Sequence, residues 1–463
     1  MVKNYYTKRL LSLFFITTLT ACTIKPIATP EQDIASLSIP AHWMHAHADA
    51  QQQSGQAWWH HYRDPQLNQL IAQALAHNPN LDAAALNWRQ SLIAVDETLA
   101  RQAPQYSGDL AARASRDFDA ARTSHSFSAN LAASYQLDLW QKRDAQHAAS
   151  AASADASGED YLAARLALTG QVAKTYFHIQ YLDDQLAAHA RFLNNSEERL
   201  ARSRAKLAAG SIARLDLLRE EQNLLALKRE RQSLNAQRQK AEASLAVLLG
   251  KPPAALHLIH KPLREQHIPD IPATLPAHLL AQRPDLRAAQ YQLQAALANI
   301  AVAERDFYPD LSLTASLGSS SQALIRLLQN PVANLGASLS LPFLQRHDKE
   351  IALLRNQLAY DKTLKTFAHN LYQAFVDVEN ALITREQLNA EGKLLAEQLG
   401  HARRIEQLTA IREQAGADAL QDVLEAKNSR EQAESAILSN RHARLDNSID
   451  LYLALGGNTA LNP

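Results

Sequence analysis

The chain is written twice, and that constrains its fold more than any other feature. PNLDAAALNWRQSLIAVDETLARQAPQYS at 79–107 aligns without a gap to PDLRAAQYQLQAALANIAVAERDFYPDLS at 284–312, an offset of 205. Pro79/Pro284, Leu81/Leu286, Ala83/Ala288, Ala84/Ala289, Leu92/Leu297, Pro104/Pro309 and Ser107/Ser312 are identical. SYQLDLWQKRD (134–144) matches SLSLPFLQRHD (338–348) at offset 204, and AGSIARLDLL (209–218) matches AGADALQDVL (415–424) at offset 206. Leu245, Leu249 and Gly250 recur as Leu451, Leu455 and Gly456. Landmarks in the same order at nearly constant offset mark a tandem duplication, so the two halves should share one plan.

Each half opens with a helix of about 25 residues between two prolines, since proline is accepted in the first helical turn but not inside a helix. Strict alternation follows. Tyr106, Gly108, Leu110, Ala112 and Ala114 alternate with Ser107, Asp109, Ala111, Arg113 and Ser115; Phe127, Ala129, Leu131, Ala133, Tyr135, Leu137 and Leu139 alternate with Ser126, Ser128, Asn130, Ala132, Ser134, Gln136 and Asp138. The second half repeats this through Leu311, Leu313, Ala315 and Leu317, then Ala333, Leu335, Ala337, Leu339, Leu341 and Phe343. Period two over such lengths predicts strands with one apolar and one polar face. Residues 145–208 and 348–414 then lack proline and carry apolar residues at helical spacing, for example Leu162, Leu166, Thr169, Ala173 and Tyr176. Unbroken, the first would reach ~96 Å at ~1.5 Å rise per residue, although Gly158, Gly170, Gly392 and Gly400 are positions that admit a kink or break. Each long helix ends at an Ala-Gly suited to a left-handed C-terminus, and a return helix follows.

The N-terminus carries Lys3, Lys8 and Arg9, then an apolar run from Leu10 to Thr18. That run is too short for a bilayer span, which takes roughly 20 apolar residues, and reads as a secretory signal. Leu19-Thr20-Ala21-Cys22 resembles a lipobox, in which cleavage precedes the cysteine and lipid is attached to it; the alternative is cleavage nearby with Cys22 incidental. In that lipoprotein class Thr23, rather than aspartate, points to onward sorting to the outer membrane. As the only cysteine, Cys22 leaves no intramolecular disulfide to form, so stability rests on packing. The expected organisation is a signal peptide at 1–21, a lipidated linker at 22–57, a first repeat at 58–262 with its β-hairpin at 105–139, a second at 263–457 with its β-hairpin at 310–343, and a tail at 458–463.

Four strands of this length per chain pose a closure problem. Their faces suit lipid on one side and water on the other, yet about eight strands are the practical minimum for a barrel, and open edges in hydrocarbon leave backbone groups unpaired. Two, three or four chains sharing a barrel would supply 8, 12 or 16 strands, and the alternation by itself is equally compatible with a soluble four-stranded sheet packed on helices.

The paired helix-hairpin-helix-helix halves, WWHHYRDPQLNQLIAQALAHNPNL (58–81), LPAHLLAQRPDL (275–286), AGADALQDVLEA (415–426) and the closing LALGG (453–457) resemble the TolC family of outer-membrane efflux channels, in its lipoprotein branch. The resemblance covers almost all of the mature chain. It implies a mainly α fold with a small β part: long-helix hairpins forming a trimeric α-barrel through the periplasm, and four strands per chain entering a shared 12-stranded barrel in the outer membrane. It further implies a homotrimer that docks a periplasmic adaptor and an inner-membrane transporter, with no cofactor. Carried onto this sequence, the pore constriction falls on Asp422 and Glu425 with Asp216 as first-half counterpart, and the adaptor-docking tips fall on Gly210, Arg214, Gly416 and Asp418. Where the family prototype has a basic residue two positions after the second glycine, this chain has Asp418, which leaves Arg214 and Arg412 as substitutes in a closing contact. Against this stands the plainer reading of the acids as solvated charges favoured at a helix N-terminus.

Other chemistry is poorly supported. Lys plus Arg and Asp plus Glu stand at 47 each, so no net charge points to a nucleic-acid partner. No segment outside the signal is long and apolar enough for a membrane-spanning helix, and there is no Gly-x-Ser-x-Gly, phosphate loop or Cys-x-x-Cys. His42, His45, His47, His60 and His61 sit in a Gln- and Ala-rich leader better read as a polar linker than as a metal site. Trp58 and Trp59 read as packing residues. No catalytic constellation is evident. The rival classes are a periplasmic adaptor, which carries one hairpin between compact β domains, and a structural coiled-coil lipoprotein, which needs no amphipathic strands.

Overall fold

The structure is a computed structural model that describes residues 29, 31–45, 57–253, 258–271, 276–329, 331–417 and 419–457. Cys22, His47 and Asp418 lie outside them. The first half runs α1 (Pro65–His77), α2 (Pro79–Gln102), β1 (Gln105–Asp117), β2 (Arg122–Leu137), α3 (Lys142–Ala208) and α4 (Arg214–Leu248). The second runs α5 (Pro284–Arg305), β3 (Asp310–Ser321), β4 (Val332–Ser340), α6 (Arg346–Gln414) and α7 (Leu420–Ala454). Short 3-10 turns and two short helices fill the connections.

Local chemistry sets the starts. Asp64 caps α1, its Oδ1 accepting from the Gln66 and Leu67 N–H groups at 2.9 and 3.1 Å, with Pro65 at the first helical position. Asn78 does the same for α2, accepting from Asn80 and Leu81 at 3.0 Å each. The long helices α3 and α6 are continuous over 67 and 69 residues, unbroken at Gly158, Gly170, Gly392 and Gly400. At three of these four positions a neighbour approaches closely. A Cβ on Gly158 would lie 3.1 Å from the Trp88 ring, one on Gly170 2.6 Å from Leu453, and one on Gly392 3.0 Å from Asn440. Glycine here makes room for a neighbour without ending the helix.

Compact units cut across the two sequence halves, one containing residues 89–157 and 289–367 and the other 38–88, 158–288 and 368–463. The first contains the four strands in one antiparallel sheet, order β1-β2-β3-β4, so β2 and β3 join the two halves of the duplication. Its cross-strand register stacks like on like. Gly108, Leu131, Leu317 and Ala333 form one row, and Tyr106, Ala133, Ala315 and Leu335 the next; the alternate rows read Ser107-Ala132-Ser316-Asn334 and Gln105-Ser134-Thr314-Gly336. Directly opposed residues share a face, so the apolar registers of all four strands merge into one continuous surface, and a slip of one residue would destroy it. Leu110, Leu131, Leu335 and Leu339 on that surface are exposed.

The strand roots of this unit are pinned to each other. Trp140 stacks on Tyr308 with centroids 4.9 Å apart and donates through Nε1 to the Pro309 carbonyl at 2.8 Å. Asp306 takes ion pairs from Lys142 and Lys349; burial pushes its carboxyl upward, but the two ammonium groups outweigh this and hold it below the usual range.

The second unit holds the main core. Trp58, Tyr62, Leu67, Ile71, Tyr176, Phe177, Leu245, Leu263, Leu445 and Ile449 are buried in it together. Trp58 and Trp59 thus pack as expected. Two polar contacts fasten the core: Tyr176 donates to Asp64 Oδ2 at 3.0 Å, and the Tyr62 and Ser448 hydroxyls meet at 2.6 Å. The duplication is legible here at atomic detail. Asn78 Nδ2 donates to the Leu248 carbonyl at 3.0 Å in the first half, and Arg283 Nη1 donates to the Ala454 carbonyl at 3.2 Å in the second. Beside each sits a left-handed glycine, Gly250 (φ 69°) and Gly456 (φ 86°), whose added Cβ would lie 1.9 Å from the His77 carbonyl oxygen and 2.6 Å from that of Gln282. Both halves close the return helix onto the start of the repeat with the same backbone-to-backbone approach.

Candidate functional site

Two features are the candidates for function, each described within its own unit: the apolar sheet face and the pair of helical-hairpin tips.

The tips are built by backbone devices. At the end of α3 the Gly210 N–H donates to Leu207 O at 3.0 Å and the Ser211 N–H to Lys206 O at 2.9 Å, with Gly210 at φ 71°. At the end of α6 the Gly416 N–H donates to Glu413 O and the Ala417 N–H to Arg412 O, both at 2.9 Å, with Gly416 at φ 75°. Both are left-handed glycine caps of the 6→1 and 5→2 type. Each return helix then starts at an alanine with no side-chain acceptor, and the third helical residue compensates. Asp216 Oδ2 accepts from the Ala213 N–H at 3.3 Å, and Asp422 Oδ2 from the Ala419 N–H at 2.9 Å, while their own N–H groups donate to those alanine carbonyls. Both aspartates are therefore helix-starting residues in each copy, as the plainer sequence reading has it, and both remain exposed.

Glu425 is exposed three residues beyond Asp422 and accepts from Gln421 Nε2 at 3.1 Å. Spacing of three puts the two carboxylates on one helical face. Its counterpart at offset 206 is Arg219, whose guanidinium lies 3.5 Å from Asp216. The first tip thus neutralises its acid where the second doubles it. Arg214 is exposed at the start of α4, and Arg412 is exposed in the last turn of α6. Over matched windows, residues 202–219 carry Arg202, Arg204, Lys206, Arg214 and Arg219 against Asp216, a net of +4, whereas 408–425 carry Arg412 against Glu413, Asp418, Asp422 and Glu425, a net of −3. Residue-by-residue use of the repeat offset reveals this polarity; matching only the acids misses it.

Two of the N-terminal histidines are engaged with side chains of the second half. His45 Nδ1 lies 3.0 Å from Glu379, His61 Nδ1 bonds the Tyr452 hydroxyl at 2.8 Å, and among the described residues no group of three or more His, Cys, Asp or Glu could hold a metal ion. Burial and the neighbouring His60 lower the His61 pKa. Among the described residues no helix is long and apolar enough to cross a membrane.

Comparison with known proteins agrees with that geometry. The family model described as outer membrane efflux protein matches residues 70–251 and again 275–457, one match to each copy of the repeat. The chain belongs to the outer membrane efflux protein family. It is 31% identical over 445 residues to the pyoverdine export outer membrane protein OpmQ of Pseudomonas aeruginosa, covering 93% of each chain, and 27% identical over 461 residues to the cation efflux system protein CusC of Escherichia coli, covering 95% and 96%. Among solved structures, the open-state MtrE outer membrane channel of Neisseria gonorrhoeae superposes with a TM-score of 0.83 at 28% identity, covering 94% of this chain and 98% of that one. The protein is accordingly the outer-membrane component of a tripartite efflux pump, in a family of passive channels. The adaptor and coiled-coil readings fall away.

Proposed function

We propose that three copies of this chain close one twelve-stranded barrel and act as a conduit for small molecules handed over by a periplasmic adaptor and an inner-membrane transporter. The observation that carries this is the sheet: four strands with a merged apolar face and two open edges, β1 and β4. In hydrocarbon those edges need partners, and three sheets joined edge to edge supply them. Native mass spectrometry of detergent-extracted protein should give a trimer that conducts ions in planar bilayers; a non-conducting monomer refutes both parts.

Cys22 is the proposed lipid anchor in the outer membrane. Mass spectrometry of the mature N-terminus should find lipid on that residue, and an unmodified terminus elsewhere ends the idea. The adaptor docks at the tips around Gly210, Arg214, Gly416 and Asp418. Asp422 and Glu425 form the constriction, six carboxylates under three-fold symmetry, which attract cations and oppose closure by mutual repulsion. Asp422→Ala with Glu425→Ala should raise conductance and lower cation preference with the trimer intact. Unchanged recordings would move the constriction elsewhere.

A further inference from the structure

The β3–β4 connection is chemically odd for a hairpin loop. Such loops are normally built of polar turn residues facing water. Here Leu324–Arg326 forms a 3-10 turn, held by Arg326 N–H to Ala323 O at 3.0 Å, Leu327 N–H to Leu324 O at 3.1 Å and Gln329 N–H to Arg326 O at 3.1 Å. Its large side chains point outward: Leu324 is 66% exposed, Ile325 90% and Leu328 80%, with exposed Arg326 among them.

One hydrogen bond fixes which side of the sheet the loop covers. The Ser319 hydroxyl donates to the Leu327 carbonyl, and Ser319 is buried. Ser319 follows Leu313, Ala315 and Leu317 in the apolar register of β3 and pairs with Ala129 in the apolar register of β2. The loop therefore folds back over the apolar face and away from the polar one. Leu327 sits level with the Ser319–Ala129 pair, two residues or about 7 Å along the strand from the Leu131–Leu317–Ala333 row. The β1–β2 turn at the same end of the sheet also pairs an apolar and a basic residue, Phe118 being 84% exposed with the Arg116 guanidinium 5.8 Å from its ring centroid.

We propose that the 322–329 loop is a membrane-interface anchor: Leu324, Ile325 and Leu328 enter the acyl region of the surrounding leaflet, and Arg326 binds the phosphate of a lipid headgroup. The partner is a phosphate-bearing lipid, because the loop continues the apolar surface of the sheet beyond Ser319 and carries a cation among its apolar side chains. This rests on the reading that the apolar sheet face meets lipid.

The test uses the mature chain reconstituted in phosphatidylethanolamine–phosphatidylglycerol vesicles, with a nitroxide on Ile325→Cys, on Leu335→Cys as sheet-face reference and on Ala121→Cys as turn reference. The label at 325 should collide with oxygen several-fold more often relative to a nickel chelate than the label at 121 does, approaching the label at 335. Arg326→Glu should move the 325 label toward water in these vesicles and leave it unmoved in phosphate-free glycosyldiacylglycerol vesicles of matched thickness. A lipid-embedded 335 with a fully aqueous 325 overturns the proposal and makes the loop a solvated or protein-docking segment. Aqueous labels at both positions overturn the sheet reading, and the loop claim with it. An Arg326→Glu variant that shifts nothing in either vesicle removes the headgroup contact.

Discussion

The two hairpin tips share one backbone and carry opposite charge. Gly210 and Gly416 adopt the same left-handed cap, and Asp216 and Asp422 the same helix-starting hydrogen bond, yet Arg219 neutralises one tip where Glu425 sharpens the other. Even the ion pairs across the hairpins sit at unmatched positions, Arg199 to Glu220 at 3.4 Å in the first and Arg430 to Glu406 at 2.6 Å in the second. Their seams differ as well: Leu193, Leu200, Leu217 and Leu224 pack the first at seven-residue spacing, while Leu399, Ala402 and Ala433 pack the second. The duplication has preserved what shapes the chain and released what decorates it. Exposed charge costs little to change, whereas a backbone closure has no alternative.

The strongest way to break the comparison is to attack a preserved closure. Gly250→Ala places a Cβ in the His77 carbonyl and strains a left-handed φ, so it should cost about 3 kcal/mol or more and lower the yield of assembled protein. Gly456→Ala, with more room at 2.6 Å, should cost less, measured as melting temperature in detergent. Equal tolerance at both would mean the closures are ornamental. Next, lysine at Leu131 or Leu335 should oppose insertion by about 2 to 4 kcal/mol near the bilayer midplane, while lysine at Ser128 or Ser312 is tolerated; outer-membrane fractionation separates the two outcomes.

Smaller effects sharpen the contrast. Gly210→Ala and Gly416→Ala meet no atom within 4 Å, so only the backbone penalty remains, about 1 to 2 kcal/mol and similar in the two halves. Helical hydrogen exchange near each tip would detect it, and unequal losses would show the tips are not equivalent after all. The least effect concerns Asp446 and His442, a titratable pair that the first half does not repeat. Burial pushes Asp446 up to about 6, and Lys174 only partly offsets it; burial and nearby His178 push His442 down to about 4. Their first-half counterparts at offset 206 are Lys240 and Ala236. Because the folded pKa of Asp446 is raised, its contribution is most favourable below pH 4 and is lost as pH rises through about 6. Asp446→Asn should therefore raise the melting temperature more at pH 7.5 than at pH 5. The opposite order would assign the carboxylate a stabilising pair.

Sequence alone determined the duplication, the alternation of each strand, the caps at Gly210 and Gly416 and the acids that follow them. All of these are local patterns, visible wherever a period or a turn residue is written in the chain. The candidate site was half legible for the same reason: Asp216, Asp422 and Glu425 could be named as candidates, but Arg219 surfaced only when the repeat was followed residue by residue. Tertiary structure decided the rest. Whether β2 joins β3, and in a register that merges four apolar faces into one, depends on pairing between segments about 190 residues apart, which no single strand encodes. Whether Gly158 and Gly170 break a helix depends on what approaches them, and here Trp88 and Leu453 occupy the space a side chain would need. The fold-back of Leu327 over Ser319, a contact between a loop and the strand before it, likewise depends on which face that loop chooses, and composition does not choose faces.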